Sequence, residues 1–289
     1  MKNFKTVAIH TSLRTAKVEE IISQLIEIFK SEKITTVVTQ DVTLSNSLDV
    51  KSYKDKWIIN NCDALFSVGG DGTLLGSARR FGIHSVPILG INLGNLGFLT
   101  DIPPERLTIS LKEILKGNYF MDERIFLGAS VNKKITPFSA LNEIVIHSGT
   151  VAKMIEYELF IDDSFVYRQK SDGLIISTST GSTAYCLSGN GSIVHPSVPA
   201  ITLLPMFPHS LNARSLLVNE DSIIDIYLSK ETNAKLNFDS QNTSNLKKGD
   251  YVSISRSKST LKLLHPEDHD FYSACRNKLG WSLGFYKNQ

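Results

Sequence analysis

The sequence predicts an α/β protein: an N-terminal Rossmann-like parallel-sheet domain followed by a C-terminal β-rich, β-sandwich-like domain. Three observations predict it. Over residues 1–122, short apolar runs alternate with amphipathic stretches. Beyond 122, alternating apolar and polar runs are broken by turn signals instead. The closing stretch PEDHDFYSACRNKLGW is helix-like again. The expected division is therefore an α/β domain at 1–122, a β-rich domain at 123–264, and a segment at 265–289 that returns to the first domain.

KTVAIH (5–10) reads as a buried strand. In residues 15–31, Val18, Ile21, Ile22, Leu25, Ile26 and Phe29 recur at helical spacing. ITTVV (34–38) is β-branched and strand-like, and KSYKDKWIIN (51–60) is expected to be a short helix. DALFSV (63–68) predicts a strand, TLLGSARRF (73–81) a helix, VPILGIN (86–92) a strand, and 105–116 a helix. Apolar strands separated by amphipathic helices favour a parallel sheet covered on both faces. In MIEYELFID (154–162), Ile155, Tyr157, Leu159 and Ile161 share one face. Asp162-Asp163-Ser164 then predicts the turn of a hairpin that returns through FVYRQK. Further strands are expected at 200–206, 222–228, 234–239, 251–255 and 260–264.

The chain has 289 residues, is 42% hydrophobic and carries a formal net charge of +2. This is the composition of a globular protein with a sizeable core. No Lys/Arg-rich block marks a nucleic-acid or membrane-surface partner. The N-terminal apolar run is too short for a signal-peptide core, and no apolar run approaches ~18 residues. Cys62, Cys186 and Cys275 are widely spaced and lack metal-ligand spacing. Reduced thiols and a cytoplasmic setting are expected.

Three loops carry the chemistry. In Gly69-Gly70-Asp71-Gly72-Thr73, glycines between strand and helix bring backbone N–H groups close to a ligand. A P-loop would close with lysine, and none stands here. The dinucleotide fingerprint is missed by one residue, and VPILGIN ends in Asn92 rather than the acid that a ribose would need. Asp71 can hold Mg²⁺ facing phosphates, act as a base on an attacking hydroxyl, or cap the helix. In the second loop, Asn142 and Glu143 supply donors and acceptors suited to ribose hydroxyls and a base edge, or form an ordinary strand-end pair. In the third, the strand GLIIS enters STSTGSTAY (177–185), where hydroxyls and free N–H groups at a helix start suit an anion or nucleotide. Ordinary capping is the alternative there.

Together GGDGT (69–73), GINLGNLGFLTD (90–101), LNE (141–143), SDGL (171–174), STGSTAY (179–185) and FPHSLNAR (207–214) resemble the NAD kinase family, most closely its proteobacterial type. The likeness runs from about residue 63 to 285 and is weakest over the first 60. It implies transfer of the ATP γ-phosphoryl group to the adenosine 2′-hydroxyl of NAD, with Mg²⁺ accompanying ATP. It also implies that residues 123–264 bind NAD, and that the chain forms a homo-oligomer, a tetramer or a dimer.

By position, the resemblance makes Asp71 catalytic and puts Gly69, Gly70, Gly72 and Thr73 on the nucleotide loop. Asn142 and Glu143 fall on the pair that contacts the NAD adenosine part, and Asp172 on an acid that reaches a neighbouring subunit's nicotinamide-side pocket. Thr183, Ala184, Tyr185 and Ser188 fall on the adenine and ribose side. Lys153, Lys170, Thr180 and Gln241 match further nucleotide-contacting positions, and Phe98 stands where an aromatic residue shapes the pocket. Ser179 departs from the family's usual proline, which implies a less stiff start to that loop.

His10, His84, His195, His265 and His269 show no metal-site spacing, and are expected to be ordinary surface or core residues. His147 and His209 lie in family-like segments. Ser182 lacks a G-x-S-x-G context, which argues against an acyl-transfer serine. Two rival readings are a lipid or sugar kinase sharing the GGDGT loop and a dinucleotide-binding regulator without catalysis.

Overall fold

The computed structural model describes residues 4–43, 50–94, 97–150, 153–229 and 233–281. The chain divides into two compact units, Met1–Glu123 with Thr260–Gln289, and Arg124–Ser259.

The first unit opens with β1 (Thr6–His10), α1 (Ala16–Ser31), β2 (Thr35–Thr39), β3 (Lys51–Tyr53) and α2 (Asp55–Asn61). It continues with β4 (Ala64–Val68), α3 (Asp71–Arg80), β5 (Ile88–Ile91) and α4 (Leu107–Lys116). Its strands run parallel in the order β5-β4-β1-β2-β3. Thr15 starts α1, its hydroxyl accepting the Val18 N–H at 3.3 Å. The predicted stripe of α1 is buried, apart from the partly buried Ile26. Val7, Ile9, Phe66, Leu89 and Ile91 meet it from the sheet. The stretch expected as one helix at 51–60 is a strand and then a helix. Lys51–Tyr53 pairs with Val37–Thr39, Asp55 opens α2, and the Tyr53 and Trp57 rings stack 3.8 Å apart across the junction.

The second unit follows from β6 (Tyr119–Val131), through β7 (Lys134–Ala140), β8 (Glu143–His147), β9 (Ile155–Ile161), β10 (Ser164–Ser171) and β11 (Gly173–Thr178). After the single turn α5 (Tyr185–Ser188) come β12 (Ala200–Met206), β13 (Leu216–Asn219), β14 (Ile224–Leu228), β15 (Ala234–Phe238) and β16 (Asn242–Leu246). One antiparallel sheet has the order β13-β12-β11-β8-β15-β16. The other side is built from β10, β9 and β14, with Tyr251–Ile254 pairing against β14. Ile144, Ile146, Leu174 and Ile176 face Ile155, Tyr157, Leu159 and Ile226 in one core, the arrangement of a sandwich. The expected hairpin turns at Asp162 and Asp163, both at positive φ, as a two-residue turn demands.

The strands expected at 251–255 and 260–264 are one strand, β17 (Tyr251–Pro266), whose Leu263 pairs parallel with Ile88 in the first unit's sheet. Arg256 and Lys258 lie exposed along this continuous strand, so the charged RSKS run is part of it and not a turn. Helix α6 (Phe271–Leu279) follows. Asn95 and Leu96 of the glycine-rich GNLGFLTD run lie outside the described residues, as do 282–289.

Phe66 is fully buried, with its ring edge-on to Phe29 at 4.8 Å. Phe66→Ala is expected to lower the unfolding free energy by about 3–5 kcal/mol in urea titration; a loss under about 1 kcal/mol would contradict this core.

Candidate functional site

The turn between β4 and α3 is shaped by two different glycine requirements. Gly69 has φ +155°, and a Cβ there would lie 2.4 Å from the Thr73 hydroxyl. Gly70 and Gly72 have nothing within 4 Å of a Cβ position, so their backbone faces open space. Thr73 is fixed by Ser12, hydroxyl to hydroxyl at 3.0 Å. Asp71 and Gly72 open the helix, where the helix itself supplies no acceptor for their N–H groups.

Asp71 does not cap the helix; Gly70 occupies the capping position, and Asp71 is the first helical residue. Its carboxylate reaches across to the 97–100 loop. Oδ2 accepts the Phe98 N–H at 2.9 Å, and Oδ1 accepts the Leu99 N–H at 3.1 Å and the Thr100 hydroxyl at 3.4 Å. Gly97 makes this approach possible, since a Cβ there would fall 1.9 Å from Oδ1. Asn92 is fully buried and spent on the same loop, its Oδ1 accepting the Gly94 N–H at 2.8 Å.

The C-terminal segment braces that loop. His265 Nδ1 hydrogen-bonds one oxygen of Asp101, His269 Nδ1 lies 3.0 Å from the other, and His265 Nε2 lies 3.7 Å from Asp122. Burial alone would push the Asp101 carboxyl up, but the hydrogen bonds and charges of the two histidines outweigh it and hold the group below the usual range. The fold thus gathers two histidines that looked unrelated in sequence. Asp101, His265 and His269 have the donor types of a divalent-metal site, but the two Asp101 oxygens are engaged by the Nδ1 atoms of the two histidines.

In the second unit the site is built around a buried carboxylate. Asp239, at φ +49° in the β15–β16 turn, accepts the N–H groups of Leu141, Asn142 and Glu143 at 2.8–3.1 Å. The Asn142 carbonyl accepts the Thr178 N–H at 2.9 Å and would lie 2.1 Å from a Cβ on Gly181, so only glycine fits there. Thr180 is buried, with its hydroxyl accepting from Arg124 at 3.1 Å. Thr183 donates to the Thr180 carbonyl at 3.3 Å, and the Ala184 N–H bonds Gly181.

Glu143 is 4% exposed, and its Oε2 has no hydrogen-bond partner among the described residues. Burial and then the nearby Asp239 charge push its carboxyl up to about 7, against a hydrogen bond from the Tyr185 backbone. A buried acceptor left open in this way is a place for a ligand's donor.

Tyr185 and Ser188 line a cavity of about 670 Å³ with Met206, Phe207 and Arg214. Gln241 closes the turn that carries Asp239, its N–H bonding Phe238. Lys170 is drawn elsewhere, 3.6 Å from Glu156. Lys153 is exposed, and Asp172 is held by its backbone to Met206. Ser179 has φ −57°, a value proline shares, and its hydroxyl donates to the Val198 and Ala200 carbonyls at 2.5 and 3.1 Å.

Asp239, Arg124 and Lys278, which contacts Asp71 at 3.3 Å, have no local sequence signal. Asp71's oxygens face N–H, hydroxyl and ammonium donors instead of further carboxylate or carbonyl oxygens, so the loop is not a ready cage for Mg²⁺.

The ATP-NAD kinase N-terminal domain matches residues 8–119, and the ATP-NAD kinase C-terminal domain matches 141–266. An NAD kinase of Teredinibacter turnerae is 41% identical over 288 residues, covering 98% of each chain. One from Pseudomonas entomophila is 41% identical, covering 97% of each. Among solved structures, yeast NADH kinase complexed with NADH aligns with a TM-score of 0.88 at 27% identity, over 100% of this chain and 91% of that one. An NAD kinase from Archaeoglobus fulgidus in complex with ATP aligns with a TM-score of 0.74 at 26% identity, over 95% and 97%.

Between its ordinary value of 4.5 and about 7, Glu143 keeps a proton that the unfolded chain has lost. Stability contributed by that proton is complete below pH 4.5 and gone above about 7. Glu143→Gln does not titrate, so its Tm relative to the parent is expected to rise steadily across that window in thermal melts; a gap independent of pH would contradict the assignment.

Proposed function

This chain belongs to the ATP-NAD kinase family, and we propose that it transfers the γ-phosphoryl group of ATP to the adenosine 2′-hydroxyl of NAD, giving NADP and ADP. The observation that supports the role of its site most directly is Asp71: a carboxylate fixed on a glycine turn whose backbone at Gly70 and Gly72 faces open space.

Phosphoryl transfer asks for positioning and charge neutralisation more than covalent chemistry. Asp71 accepts the proton of the 2′-hydroxyl, or holds that proton while the oxygen attacks in line. Gly70 and Gly72 offer backbone N–H groups to the ATP phosphates, while the Gly69 N–H is spent on the Ile91 carbonyl and the Thr73 N–H on the Gly70 carbonyl, so these two residues shape the loop. Mg²⁺ arrives on ATP as part of that substrate and neutralises phosphate charge. Asn142 and Glu143 hold the NAD adenosine part, the open Glu143 oxygen accepting a ribose hydroxyl. Thr183, Ala184, Tyr185 and Ser188 line the adenine and ribose side, and Phe98 shapes the pocket beside Asp71. Asp172 serves the nicotinamide-side pocket of a neighbouring subunit, and Lys153, Lys170, Thr180 and Gln241 serve further nucleotide contacts.

We further propose a cytoplasmic setting, which suits the free Cys62, Cys186 and Cys275. A homo-oligomer, dimer or tetramer, is proposed on the family resemblance. Among the described residues no helix is long and apolar enough to cross a membrane.

Incubation with NAD, ATP and Mg²⁺, read through an NADP-dependent dehydrogenase, separates the readings. NADP formation is expected; NAD binding without NADP would favour a regulator, and phosphorylation of a lipid or sugar instead would favour the rival kinase. Asp71→Asn is expected to bind NAD nearly as the parent does and to lose roughly 10²-fold or more in kcat. Turnover near the parent's would remove Asp71 from its role.

A further inference from the structure

The glycine loop closes without the lysine that a phosphate loop usually carries, yet the fold brings an ammonium to it. Lys278 stands in the last turn of α6, 207 residues further along the chain. Its Nζ lies 3.3 Å from Asp71 Oδ2 and 4.9 Å from the centre of the Phe98 ring. The same Oδ2 accepts the Phe98 N–H. The helix is held there by two separate contacts. Phe271 packs on Phe98 at 6.4 Å, and His265 and His269 clasp Asp101 just ahead of it, while Asp270 caps the helix's own first turn by accepting the Tyr272 N–H at 2.9 Å. Lys278 and Asp71 are 34% and 31% exposed, so the pair opens toward solvent and is not sealed in the core.

We propose that Lys278 is a catalytic residue of the phosphoryl transfer, taking the part of the lysine that the loop lacks and meeting an oxygen of the γ-phosphoryl group; this rests on the kinase reading above. The attacking 2′-oxygen must lie within hydrogen-bond reach of Asp71 and about 3–3.5 Å from phosphorus. A γ-phosphoryl oxygen then falls within the swing of an ammonium already beside Asp71. Lysine is a compact charge with three rotatable donors on a flexible stem. One N–H can stay on Asp71 while another turns to the phosphoryl group. The need for such a charge is local, because a carboxylate beside a polyanion repels it unless a cation stands next to both. In the step itself the 2′-oxygen-to-phosphorus bond forms, and the bond from phosphorus to the β,γ-bridging oxygen breaks. The electron pair leaves with ADP, and the hydroxyl proton goes to Asp71. Lys278 stays protonated throughout and transfers nothing.

The test compares Lys278→Met, Lys278→Arg and Lys278→Ala with the parent enzyme. Lys278→Met keeps the stem over Phe98 and removes the charge. Its kcat/KM for MgATP is expected to fall 10²–10³-fold, with KM for NAD within about twofold and Tm unchanged. Lys278→Arg is expected to recover at least about tenfold of that loss, and ethylammonium added to Lys278→Ala to raise its kcat in a saturable way. A merely structural lysine would not respond to a free amine. The proposal is overturned if Lys278→Met keeps kcat/KM for MgATP within about threefold of the parent. It is overturned equally if Met and Arg variants lose activity alike and the amine restores none. A parent protein that forms no NADP would be a different failure, that of the kinase reading itself.

Discussion

The first unit's functional geometry depends on one carboxylate with several bonded neighbours. Asp71 begins a helix and accepts two successive backbone N–H groups from the 97–100 loop. The bond pattern fixes where the carboxylate points, and it requires glycine at 97, because any side chain would collide with Oδ1. The loop is fixed in turn by Asn92 beneath it and by the His265–Asp101–His269 clasp behind it. A negative charge among phosphate-binding glycines is tolerable because its neighbours are donors: two amides, a hydroxyl and an ammonium. The charge is thereby held at a stated place, which is what an acceptor hydroxyl needs from it.

The second unit solves a related problem with two carboxylates in different surroundings. Asp239 has three amide donors and anchors the strand that begins at Glu143. Glu143, equally buried, keeps one oxygen without a partner among the described residues, and burial first, then the nearby Asp239 charge, pushes its proton affinity up. One acid builds the frame while the other is left with unspent capacity. A ribose hydroxyl donating to that oxygen would complete its hydrogen bonding and favour its ionised form.

Much of this was legible in the sequence, for identifiable reasons. Val18, Ile21, Ile22, Leu25 and Phe29 form the buried stripe of α1, because a helix on a sheet must bury one face. The glycines of 69–73 marked a turn between strand and helix before any geometry was known. Less was legible where the pattern is not local. Strand β6 has no alternating signal because the charged run Asp122-Glu123-Arg124 interrupts its apolar residues, and β17 reads as two strands because Arg256 and Lys258 interrupt it. Asp239 lies 96 to 98 residues from its amide partners, and Lys278 lies 207 from Asp71; no spacing rule reaches so far. Only the fold makes such pairs neighbours.

The central claim is that Asp71 is fixed to serve the hydroxyl that attacks ATP. A crystal structure of this protein with NAD and a non-hydrolysable ATP analogue tests it most directly. The account predicts the adenosine 2′-oxygen within about 2.6–3.2 Å of an Asp71 carboxylate oxygen and in line with the γ-phosphorus. A 2′-oxygen more than about 5 Å from Asp71, with another side chain holding its proton, would contradict it.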